Sequence, residues 1–139
     1  MPDLQIEWVG HPAILLVLRT VLVSAFLVSA VTKIRDFAGA TGEVRGLTGL
    51  EPAAFFAALV IAVQLGGAIL VIAGGSAMWI GAAMLAGFTL FATIAAHGFW
   101  RSEGTERVRD LTTFFEHMGL IAGLCLAVVL AESTERILL

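Results

Sequence analysis

The chain has 139 residues, 59% hydrophobic and 14% charged, with a mean hydropathy of +0.97 and a formal net charge of −3. A soluble domain carries roughly a quarter of its residues as charges, so this composition excludes one, and the Lys and Arg residues, dispersed through short polar segments, form no basic face for nucleic acid. A single cysteine, Cys125, excludes an intramolecular disulfide and a CxxC dithiol centre.

The opening MPDLQIEWVGHP has no basic region and no small-residue cleavage motif before the first apolar run, so no removable signal peptide is expected and the first helix directs insertion. A hydrocarbon core of about 30 Å needs about 20 apolar residues in helix. Four segments reach that length: 13–34, 53–73, 77–97 and 111–131. Pro12 and Pro52 open the first two, and Gly74-Gly75-Ser76 makes the second and third an antiparallel hairpin. Trp8, Trp79 and Trp100 fall at helix ends, where indole rings favour the headgroup zone. The expected fold class is all-α, a four-transmembrane-helix bundle and polytopic membrane protein, with residues 1–139 as a single membrane domain. The segments 35–51 and 98–110 are long enough for a short surface helix each.

Lys33, Arg35, Arg45, Arg101, Arg107 and Arg109 lie on one side, against Arg136 on the other with Arg19 counted as intramembrane. The positive-inside rule then places both basic loops in the cytoplasm and both termini outside, in a bacterial cytoplasmic membrane. Ala58, Ala62 and Gly66 on the second helix and Gly119 and Gly123 on the fourth are candidate packing seams, and a homo-oligomer is a candidate assembly. Cys125 between two leucines reads as an apolar packing residue, and Glu132, Glu135 and Arg136 as a solvated helix end.

Ionisable groups inside apolar spans are the functional pointers, because each costs about 2.5–3.5 kcal/mol to leave in hydrocarbon even on a lenient scale. Arg19 and Lys33 lie fourteen residues apart, on nearly one face of the first helix. Gln64 sits near the centre of the second helix, at a depth Arg19 can reach; the alternative is that Arg19 snorkels outward while Gln64 bonds another helix. Thr89, Thr93 and His97 form a polar line on the third helix leading to Glu116 and His117 on the fourth. Arg19, Lys33, Gln64, Thr93, His97, Glu116 and His117 are therefore the candidate ligand-binding set. His97 and Glu116 suit proton exchange with a quinone-like ligand and Lys33 suits a carbonyl or anion, whereas an ion pair such as Lys33 with Glu116 would serve only to hold helices together. Two histidines at similar depth can ligate a metal or haem, but no HxxxH, CxxCH or Glu-x-x-His signature is present and no metal site is expected. His11 is expected to be solvated.

The run RTVLVSAFLVSAVTKIRDF (residues 19–37), with an early arginine and a K-I-x-x-F exit, resembles the first-helix pattern of DoxX-like membrane proteins. VQLGGAILVIAG (63–74) resembles their second-helix pattern and FFEHMGLIAGLC (114–125) the fourth. The sequence departs at Gln64, where many relatives carry glutamate, and at Glu116-His117, where a Lys-Asn pair is frequent. The resemblance implies a four-helix membrane subunit associated with redox systems.

The expected function is a membrane subunit of a redox assembly binding quinone or another lipid-soluble ligand. No cofactor is firmly expected besides a candidate quinone, and the catalytic cofactor would belong to soluble or membrane partner subunits. No dinucleotide motif or iron–sulfur cysteine cluster is present, so a self-sufficient enzyme is not expected. The rivals are a non-catalytic anchor or assembly factor recruiting soluble proteins through its basic loops, and a small transporter or lipid-handling protein.

Overall fold

The computed structural model describes residues 11–137, with side chains as far as Ser133. Trp8 and the side chains of Glu135 and Arg136 lie outside that description. Five helices follow in order: α1 (Pro12–Arg35), α2 (Phe37–Thr48), α3 (Ala53–Ala73), α4 (Met78–Ala96) and α5 (Gly104–Ile137). Helices α1, α3, α4 and α5 are each long and apolar enough to cross a membrane. They pack into a helical bundle, and the molecule is an integral membrane protein in contact with the lipid bilayer.

Local chemistry sets the joints. His11 caps α1, its Nδ1 accepting from the Ala13 N–H at 3.3 Å, with Pro12 in the first turn, where a missing N–H costs nothing. Asp36 ends α1 and starts α2: its backbone N–H bonds Thr32 while its side chain accepts from the Gly39 N–H at 2.9 Å. Glu51 ties α2 to α3, taking Arg45 Nε at 2.6 Å and the Ala53 N–H at 2.9 Å. The Arg45 bond, then the Ala53 N–H, holds this exposed carboxyl below its ordinary range. Between α3 and α4 the chain turns through Gly74, at φ 71°, and a 3-10 turn, Gly75–Ala77. The positive φ makes that joint a glycine position, and the Arg19 guanidinium occupies the space beside it where a Cβ would stand. Beyond α4, Arg101 folds back to donate to the carbonyls of Ile94 and Ala95 at 2.7 and 3.1 Å, satisfying the helix's last acceptors.

Helices α3 and α4 form the closest pair, α1 lies against α3, α5 lies against α4, and α1 and α5 touch only slightly. The hairpin closes through glycine: a Cβ on Gly81 would stand 2.6 Å from the Gly67 carbonyl oxygen. Without hydrophobic exclusion between helices in lipid, that backbone approach supplies the packing. Val23, Phe26, Ala68, Val71, Met78, Ala82, Leu85 and Leu124 fill the interior. The outside is as apolar as the inside, with Val21, Val28, Ile69, Phe91, Phe115 and Leu126 all exposed. No polar stripe divides either face of these helices because their solvent is hydrocarbon.

Several expectations change. The fourth membrane helix does not begin near 111: α5 starts at Gly104, and segment 98–110 contributes only a 3-10 turn, Phe99–Arg101, rather than a helix of its own. Residues 104–110 are polar yet helical, supported by a 3.3 Å Glu106–Arg109 pair one turn apart, so the edge of the apolar run is not the edge of the helix. The Ala58-Ala62-Gly66 seam does not form, since Ala58 and Ala62 are exposed. All three lie more than about 100° around α3 from the buried face, which follows Ala53, Ala57, Gln64, Gly67, Ala68 and Val71. On α5, a Cβ added at Gly123 would stand 3.2 Å from Leu22, whereas one at Gly119 would meet nothing within 4 Å. Cys125 faces outward instead of packing inside. The surface helix expected in 35–51 is α2, and Trp79 and Trp100 stand exposed at helix ends.

Candidate functional site

Two groups of residues at the α2 end of the bundle can do chemistry, and α4 presents a face to each. On the side away from α5, α2, α3 and α4 line a half-open cavity of about 570 Å³. Val44 and Leu47 of α2, Phe56 and Val60 of α3 and Met84 and Phe91 of α4 form much of its wall. Its polar rim is Lys33 and Glu43, paired at 2.8 Å, the lysine side chain 18% exposed. The volume falls within the range typical of small-ligand sites, about 300–1,000 Å³, and the lining is that of an apolar binding site with one charged end. Gly87 lines the cavity with open space around its missing Cβ.

On the other side of α4, facing α5, a polar cluster is linked by hydrogen bonds. Thr93, fully buried, gives its hydroxyl proton to the Thr89 carbonyl at 2.6 Å, and its oxygen lies 2.7 Å from His117 Nδ1. The hydroxyl has one proton, so the second bond must run from His117 Nδ1–H to Thr93. Asp110, 5% exposed, accepts from the Ser102 hydroxyl and lies 3.3 Å from His97 Nδ1. An ionised carboxylate only accepts, so His97 also carries its proton on Nδ1. The two imidazoles meet edge to face with centroids 5.6 Å apart.

The sequence-derived set therefore divides. Thr93, His97 and His117 come together as the polar line predicts. Lys33 goes to the cavity and pairs with Glu43, not Glu116, because α2 folds back beside α1. Glu116 is exposed on α5 and makes no hydrogen bond within the cluster, since a residue adjacent to His117 is turned about 100° from it. Gln64 is buried between helices and donates to Ser29 Oγ at 3.1 Å, leaving its carbonyl oxygen without a partner. Arg19 does not reach Gln64: its guanidinium extends to Gly74 at the hairpin end, the outward reach of a long cation. There it lines a smaller cleft of about 210 Å³ between α1 and α5. Sequence reasoning missed Asp110, Ser102 and Glu43 as partners of the site. Asp110 falls seven residues before His117, two helical turns along the same face, and that spacing was the available signal.

A family model described as DoxX matches residues 14–98, from α1 to the end of α4. No curated protein and no solved structure matches the chain.

Proposed function

The chain belongs to the DoxX family, and from that premise we propose that it is the membrane-embedded subunit of a redox assembly, holding a quinone or similar lipid-soluble ligand between α2, α3 and α4. The observation that carries this reading is the apolar cavity with its charged rim. A ring with a hydrocarbon tail would lie against Phe56, Met84 and Phe91, with a carbonyl toward Lys33. The electron-carrying cofactor would come from a partner, because the chain has no cysteine cluster or dinucleotide motif. The rival anchor reading relies on the basic segments, and one of its cations, Arg101, is already engaged in capping α4.

The experiment is native mass spectrometry of the protein extracted gently from its own membranes, wild type beside Gly87→Phe. A Phe at 87 projects into open cavity space without meeting other residues within the reach of a Cβ, so the bundle stays intact while the ligand loses its place. Quinone retained at fixed stoichiometry in wild type and absent in the variant is the expected result. A soluble protein partner with no small molecule would instead support the anchor reading.

A further inference from the structure

The His97–His117 pair lies on the opposite side of α4 from the cavity and serves no part of the reading above. Both rings are fixed in one tautomer by buried acceptors: Thr93 takes the His117 Nδ1–H, and Asp110 takes that of His97. In the neutral rings each Nε2 is then a free lone pair. The imidazoles, His97 just past the end of α4 and His117 on α5, lie with centroids 5.6 Å apart and planes 72° from parallel. An imidazole whose Nδ1–H is anchored by a carboxylate or neutral oxygen is the usual preparation of a metal ligand, because the anchor fixes the ring and strengthens the opposite nitrogen as a donor. Asp110 is anchored in turn by Ser102, so the support extends one layer further.

We propose that His97 and His117 together bind a borderline transition-metal cation, zinc or copper, through their Nε2 atoms. Among the described residues no group of three or more His, Cys, Asp or Glu gathers. With two protein ligands rather than the three of a catalytic zinc site, the remaining coordination positions fall to water or to an exogenous ligand. Imidazole nitrogen suits zinc and copper, whereas magnesium and calcium require several oxygen ligands, and the oxygens of this cluster, on Thr93, Asp110 and Ser102, are engaged in hydrogen bonds.

The test uses the full chain in detergent, purified on a handle free of histidine and titrated calorimetrically with Zn²⁺. One ion per wild-type chain is expected. Asp110→Asn should weaken binding about 10- to 100-fold, the usual effect of losing an anchoring partner. The His97→Ala, His117→Ala double variant should abolish it, and His11→Ala should leave it unchanged. In wild type, histidine ¹⁵N resonances give a reading independent of any variant's folding: Zn²⁺ should move the Nε2 signals of these two residues. Absence of stoichiometric binding, ion retained by the double variant, or unmoved Nε2 signals would each overturn the proposal.

Discussion

In the hairpin half of the bundle, Val23, Val71, Met78, Leu85 and Leu124 close the interior with apolar side chains alone. In the α2 half, the helices enclose Gln64 and Thr93 at 2% and 0% exposure, set two histidines face to edge, and leave a ligand-sized cavity. Lipid explains why the difference is informative. Apolar surface gains nothing by moving from hydrocarbon into the bundle, so the hairpin half is held by close packing and the Gly67–Gly81 approach. Each polar group in the α2 half, by contrast, has to be satisfied individually. Chemistry is concentrated where packing is least complete.

Substitutions can test that division, beginning with the largest expected effect. Leu85→Ala removes a fully buried side chain from the hairpin half and should cost about 2–5 kcal/mol of stability, read by denaturant unfolding in detergent micelles. A cost below about 1 kcal/mol would show that this half is not closely packed. In the α2 half, Thr93→Val keeps the shape but leaves the His117 Nδ1–H without its acceptor. It should cost about 1–3 kcal/mol and change the His117 tautomer seen by ¹⁵N spectroscopy. If the tautomer stays fixed, the hydrogen-bond directions assigned here are wrong.

The smallest effect belongs to the exposed α2–α3 joint. Glu51 is held below its ordinary range by Arg45 and the Ala53 N–H, so its contribution is present at neutral pH. That contribution disappears as the pH falls through the lowered value. Glu51→Gln should therefore melt slightly below wild type at pH 7, and the two curves should converge in acid. A difference that grows on acidification would reverse the sign of the pairing.

Helix number, the α3–α4 hairpin and the membrane environment were legible because apolar run length and Gly/Pro punctuation report them directly. The start of α5 was not, since Thr105 to Arg109 are polar helix residues and hydropathy marks only the membrane edge. Of the site, Thr93, His97 and His117 could be read from spacing along α4 and from their common depth. The Lys33–Glu43 pair could not be read from the sequence, because Glu43 lies on α2, whose path back beside α1 is a tertiary fact. Arg19 and Gln64 share a plausible depth, yet rotation about their helix axes, which length arithmetic does not specify, sends one to Gly74 and the other to Ser29. The packing seam failed for the same reason, by one residue of rotation.

The central claim is that a lipid-soluble ligand occupies the cavity between α2, α3 and α4. It is tested most directly by irradiating native membranes with a photoactivatable quinone analogue and mapping the labelled residues. The account predicts label within residues 44–63 and 83–95, suppressed by excess unlabelled quinone. Label confined to the Arg19 cleft at the hairpin end, or spread over the lipid-facing surface and indifferent to competitor, would contradict it.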